Sequence, residues 1–262
     1  MLRNIRHRNL IKIITACSSI DHKGNDFKAL VFEFMANGNL DTWLHPSTHH
    51  HEGNKRNLTL LQRLNIAINV ALGVDYLHHH SHASIIHSDI KPSNILLNED
   101  FVGFWFGEVF FCYKRYQSSA NEFNRCMWNS WICSTSCAEY GMCGEISAPG
   151  DVYSYGILLL EMFSGKWPTK TDNDSDKDLH DYVRKALPQR VMDIVDPRII
   201  LDQEHGSNVN QSHNRAPMEV CLASVFEVGI LCSGETPQKR IDISVAITLL
   251  HRARDKLLQG SQ

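Results

Sequence analysis

The run Asp151-Val152-Tyr153-Ser154-Tyr155-Gly156-Ile157-Leu158-Leu159-Leu160-Glu161-Met162-Phe163 is apolar on nearly every face of a helix. Such a helix has no side to show to water, so other elements must surround it. Gly165 is placed to end it and Pro168 to prevent its resumption. Helical patterns around 59–79, 179–187, 219–232 and 241–258 supply the cover. Thr59-Leu60-Leu61-Gln62 reads as a capping box, in which the threonine accepts an early backbone N–H and the glutamine reaches back. The helix it opens carries Leu61, Leu64, Ile68, Ala71, Leu72 and Leu77 toward one side, and Gly73 costs it about 1 kcal/mol. Before it, Lys28 to Met35 has the pattern of a buried strand that stops at the turn Ala36-Asn37-Gly38. Leu40 to Leu44 then reads as a short helix. Pro46 to Asn57, 170–178 and 202–217 are polar and read as loops. The class is α+β with a mostly helical C-terminal half.

The 262 residues suffice for one large domain or two modest lobes. A net charge of −3 gives no pull toward nucleic acid or a membrane surface. No apolar run approaches the roughly 18 residues of a membrane span, and residues 1–20 lack the apolar core of a secretory signal. The expectation is a cytoplasmic protein. Its eight cysteines include no C-x-x-C pair, which fits reduced thiols. Five of them, Cys112, Cys126, Cys133, Cys137 and Cys143, crowd together, and two histidine triplets stand at 49–51 and 78–80. Neither group has a zinc-ligand spacing, and the triplets are expected to be solvated.

His87-Ser88-Asp89-Ile90-Lys91-Pro92-Ser93-Asn94 lies between two short apolar runs, Ser84 to Ile86 and Ile95 to Leu97, which read as strands gripping a loop. His-x-Asp, four residues and then Asn is the spacing of a protein-kinase catalytic loop, where the Asp takes the substrate hydroxyl's proton and the Asn helps hold magnesium. With this loop, the segments Leu2 to Leu10, Tyr140-Gly141-Met142, Asp151 to Glu161 and Gly165 to Thr169 resemble the intracellular kinase domain of plant leucine-rich-repeat receptor-like kinases.

The resemblance implies a kinase-like fold and a role for each matching residue. Asp89 would be the catalytic base, Lys91 a phosphate contact and Asn94 a magnesium ligand. Phe32 would be the gatekeeper beside adenine, and the backbones of Glu33 and Met35 the hinge that pairs with it. His87 would be structural, Asp151 would brace the loop through backbone N–H groups, and Glu139 would pair with Arg240. The alternative for Asp151 is a helix N-cap, and for Arg240 an exposed side chain. Ser88 stands where many kinases have the arginine that clamps a phosphorylated activation loop. ATP and magnesium are the implied cofactors, and a protein substrate or a partner kinase or receptor the implied partner. The parent receptor would sit at the cytoplasmic face of the plasma membrane.

The same resemblance sets expectations for what is lacking. The glycine-rich loop, strand lysine and helix glutamate of a kinase would all precede Met1. Residues 1–36 are therefore expected to be a remnant of the smaller lobe (its fourth and fifth strands) and hinge, and 37–262 the larger lobe. Where Asp-Phe-Gly is due, the chain has Gly103-Phe104-Trp105-Phe106-Gly107-Glu108-Val109-Phe110. Read one base later, the codons for these residues permit Asp-Phe-Gly-Leu-Ala-Lys-Phe. The same offset across Trp128 to Cys133 permits Gly-Thr-Val-Gly-Tyr, the family's approach to Glu139. Residues 103–137 thus read as a shifted-frame translation inside an aberrant activation segment. Three readings follow: a receptor-like serine/threonine kinase domain inactive as translated, a pseudokinase binding module or decoy, and a pseudogene or imperfect gene model.

Overall fold

The computed structural model describes residues 6–20, 24, 26–46, 57–80, 85–105, 147–168, 178–204 and 215–260. Helix α3 (Ala148–Ser164), once α1 (Asp41–Leu44) and α2 (Leu60–Asp75) are placed, is the centre of the larger part. Tyr155, Leu158, Leu159, Leu160, Met162 and Phe163 are all buried, each such side chain stabilising the fold by roughly 1.5–3 kcal/mol. Ser147 caps α3 by accepting from Gly150 N–H, and Gly165 closes it in the left-handed conformation at φ 68°. Thr59 and Gln62 form the full capping box at the start of α2. The Tyr155 hydroxyl donates to the Ala67 carbonyl at 3.0 Å, fixing α2 against α3.

Four more helices follow: α4 (Leu179–Ala186), the short α5 (Val191–Ile194), α6 (Pro197–Glu204) and α7 (Arg215–Cys232). The last helix, α8 (Ile243–Gln259), packs on both α2 and α7. Helices α3 and α7 touch backbone to backbone at Gly156 and Gly229. A β-carbon on Gly156 would stand 2.8 Å from Gly229 O, and one on Gly229 would stand 2.4 Å from Leu160 Cδ2.

Arg63, buried in α2, joins three elements. It donates to Leu58 O and Met162 O and pairs with Asp196 Oδ2 at 2.8 Å. Arg198 grips the same carboxylate and also donates to the Trp43 and Leu44 carbonyls that end α1. The two guanidiniums hold the Asp196 carboxyl below its ordinary pKa, against the opposing effect of burial.

The sheet content is small. Strand β1 (Ile13–Ile20) pairs antiparallel with β2 (Asp26–Phe32), from Ile13↔Phe32 to Ile20↔Asp26. β1 carries Thr, Ala, Cys and Ser, a composition with no legible strand alternation. The buried pattern expected up to Met35 is shorter and more exposed in the structure. β2 ends at Phe32, Phe27 and Val31 are exposed, and Met35 is buried beyond the strand while Phe34 is 88% exposed. The second hairpin pairs β3 (Ile95–Leu97) with β4 (Gly103–Trp105). Its turn is held by Asn98 Oδ1, which accepts from Asp100 and Val102 N–H. Of the strand expected at Ser84 to Ile86, Ser84 lies outside the described residues, Ile86 is a bridging residue, and the chain turns sharply two residues later.

Candidate functional site

The turn is at Ser88, whose φ of 62° is left-handed and costs a non-glycine residue about 1–2 kcal/mol. Its neighbours hold it there. Ile85, Ile86 and Ile90 are buried on either side. Asp151, four residues into α3 and fully buried, accepts from Ser88 N–H at 2.7 Å through Oδ1 and from His87 N–H at 2.8 Å through Oδ2. Two consecutive backbone N–H groups converging on one carboxylate need the chain to curl, and the left-handed residue supplies that curl. The N-cap of this helix is Ser147, so Asp151 does not fill that alternative role.

His78 Nε2 also lies 2.8 Å from Asp151 Oδ2, with both side chains nearly inaccessible. This corrects the expectation of a solvated triplet. Residues Tyr76–His80 form a π-helical turn that winds His78 inward, while His79 and His80 stay 46% and 64% exposed. Sequence carried no clear signal for this, because the inward turn of His78 comes from the π-helical winding that follows α2. The triplet at 49–51 lies outside the described residues.

Past Ser88 the loop gathers its polar groups. Asp89 Oδ2 accepts from Lys91 Nζ and from Asn94 Nδ2, each at 2.8 Å. Asn94 Nδ2 also donates to the Asp89 carbonyl, across a 3-10 turn Pro92–Asn94 that Pro92 opens. Asp89 and Lys91 keep 29% and 32% of their side-chain surface, so the carboxylate faces outward. His87 lies beneath, with Nδ1 accepting from Asp89 N–H at 3.2 Å. Burial depresses its pKa to about 4, outweighing the nearby Asp151 and Asp89 charges that would raise it.

The hinge candidates reach this loop through β3. Phe32 closes β2 half-buried, Glu33 is exposed, and Met35 O accepts from Gly38 N–H in the turn that follows. Asn37 N–H donates to Leu97 O, Leu97 N–H to Gly38 O and Leu40 N–H to Ile95 O, so segment 37–40 is laced to the strand leaving the loop. Arg240 stands apart, near the start of α3. It donates to Gly234 O and to Pro149 O, and its guanidinium lies 4.8 Å over the Tyr153 ring. Glu139 and Tyr140 to Met142 lie outside the described residues, as does 106–137 of the aberrant segment.

This loop, braced by a helix carboxylate and joined through one strand to a hinge-like turn, is matched by sequence comparison. The family profile for protein tyrosine and serine/threonine kinases covers residues 1–250. The chain belongs to the protein kinase family. Its relatives are plant leucine-rich-repeat receptor-like kinases. A probable LRR receptor-like serine/threonine-protein kinase of Arabidopsis thaliana is 43% identical over all of this chain and 25% of its own length. The LRR receptor-like serine/threonine-protein kinase EFR of the same plant is 41% identical over 98% of the chain and 24% of its own length. Receptor kinase-like protein Xa21 of Oryza sativa subsp. japonica is 38% identical over 98% and 25%. The chain therefore spans about a quarter of the length of these relatives. Its architecture is that of a kinase domain, with a small sheet portion and a predominantly helical larger lobe. Among the described residues no helix is long and apolar enough to cross a membrane.

Proposed function

We infer that this chain is the catalytic-loop-bearing part of a receptor-like serine/threonine kinase domain that does not transfer phosphate as translated. The observation that carries this reading is internal to the chain. Asp89 is poised between Lys91 and Asn94, yet between Leu97 and Ala148 the sequence nowhere spells Asp-Phe-Gly. In the active form Asp89 would accept the proton of a protein serine or threonine hydroxyl, and Lys91 would turn from Asp89 to a phosphate. Phe32 and the backbones of Glu33 and Met35 would border adenine. Residues 1–36 would belong to the smaller lobe and hinge, and 37–262 to the larger lobe, at the cytoplasmic face of the plasma membrane in the full receptor.

Among the described residues around the loop, magnesium finds an incomplete set of ligands. Asn94 commits its amide nitrogen to Asp89, which leaves one amide oxygen for a cation. The neighbouring carboxylate, Asp89, is engaged by Lys91. A kinase needs a second, dedicated carboxylate for the ion, and removing one such charge-stabilising group typically raises a barrier by roughly 3–4 kcal/mol. A second reading, a pseudokinase that binds a partner kinase or receptor, is favoured by the extent of the helical core. Among the described residues that core is built around α3.

Sequencing the transcript across the codons for Leu97 to Ala148 tests the reading. Codons as translated here support an inactive chain. A transcript that spells Asp-Phe-Gly in frame identifies the shifted translation and returns Asp89 to the role of a working base.

A further inference from the structure

His45 ends α1, where a histidine beside a polar loop would ordinarily point into water. Instead its side chain is 8% exposed, and Nε2 lies 2.8 Å from Oε1 of Glu161, itself 4% exposed. The imidazole lies flat against Trp167, with ring centroids 3.7 Å apart and planes 14° apart. Asp41 stands one turn earlier, its spacing to His45 fixed by the hydrogen bond from His45 N–H to Asp41 O at 2.8 Å. One carboxylate oxygen of Asp41, one imidazole nitrogen of His45 and one carboxylate oxygen of Glu161 all fall within 4.8 Å of one another.

We propose that Asp41, His45 and Glu161 form a binding site for a divalent transition-metal ion of the zinc class. Zinc takes imidazole nitrogen and carboxylate oxygen at about 2.0–2.2 Å. Two such ligands on a tetrahedral ion stand roughly 3.3 Å apart, so the 2.8 Å contact between His45 and Glu161 need open by only about half an ångström. Trp167 already fixes the plane of the imidazole, so little side-chain freedom is lost on binding.

The charge balance points the same way. The Glu161 carboxylate is nearly inaccessible, with the His45 imidazole at 2.8 Å and an Asp41 carboxylate oxygen within 4.8 Å. One imidazole therefore faces two carboxylates, and a dication would relieve both the burial and the repulsion. The nitrogen donor favours zinc or cobalt over magnesium, which prefers six oxygen ligands. The site is also separate from the catalytic loop, since Glu161 follows Asp151 by ten residues along α3, roughly 15 Å of helix. None of the three ligands belongs to the histidine triplets or the crowded cysteines. A bound ion would clip α1, and the hinge turn before it, to the C-terminal end of α3.

The test is titration of the metal-free full chain with zinc by calorimetry and with cobalt by visible absorption. To silence competing ligands, the background carries glutamine at His49, His50, His51, His79 and His80. The expected result is one ion per chain, with affinity reduced at least tenfold by Asp41→Asn and by Glu161→Gln. Asp41→Asn alters a half-buried residue at constant shape, so it decides the matter even where Glu161→Gln prevents folding. No bound ion, or binding that both substitutions leave unchanged, would overturn the proposal.

Discussion

Asp151 carries three contacts on two oxygens with no exposure to solvent, joining the catalytic loop to α3 and to the π-helical turn that follows α2. Replacing it with asparagine keeps the shape but turns an NH2 group toward groups that themselves donate. Leaving buried donors unmatched costs about 1–3 kcal/mol each, so Asp151→Asn is expected to destabilise the fold by about 2–4 kcal/mol in urea unfolding. The loop should also become more sensitive to limited proteolysis near Ser88. A loss below 0.5 kcal/mol would mean that the brace is incidental. His87 makes a second prediction, with a definite sign. Its folded pKa near 4 lies below the unfolded value of 6.5, so between these limits the unfolded chain binds a proton that the folded chain refuses. Stability is therefore full above pH 6.5 and falls as pH drops toward 4, by on the order of 3 kcal/mol from this residue. His7 and His251, whose pKa values burial also lowers, act in the same direction. NMR titration isolates the contribution, since the His87 imidazole should stay neutral at pH 5, and a protonated ring there would contradict the account.

At the scale of elements, α3 and α7 cross with their backbones close together at Gly156 and Gly229. Gly156→Ala would place a methyl 2.7 Å from Ser233 N and 2.8 Å from Gly229 O, and backbone cannot move aside as a flexible side chain can. Overpacking of this kind typically costs about 1–3 kcal/mol. The expected outcome is a loss at or above the top of that range, read by thermal or urea unfolding, and an unchanged midpoint would show that the helices separate easily. Sequence pattern located these helices well, because α2 and α3 carry their own caps and apolar faces. It was weaker at the hairpins. β1 has no apolar alternation, and the apolar pair Ile85-Ile86 gives no sign that Ser88 turns the chain left-handed. His78, Arg63 and Asp196 were not legible as partners, because each depends on a residue at least 73 positions away in chain order. The loop's own residues were legible, since Asp89, Lys91 and Asn94 lie within one short segment and meet by local geometry.

Across the whole molecule, the proposed function separates two conditions of a kinase. Among the described residues the frame of the loop is in place: a buried α3, an aspartate that holds the loop's backbone, and a strand that ties the loop to the turn at 37–40. On that reading, the Asp-Phe-Gly carboxylate that would hold magnesium opposite Asn94 is not encoded. Fold and chemistry can part in this way because a fold draws its stability from many buried side chains, whereas phosphoryl transfer depends on a few positioned charges. The most direct measurement is transfer of labelled phosphate from ATP and magnesium to the chain itself and to a generic basic protein. Three versions would be compared: the chain as translated, its Asp89→Asn variant, and a chain with residues 103–137 re-encoded in the offset frame. The account predicts that the first two are indistinguishable from background. Transfer by the chain as translated that Asp89→Asn abolishes would contradict it.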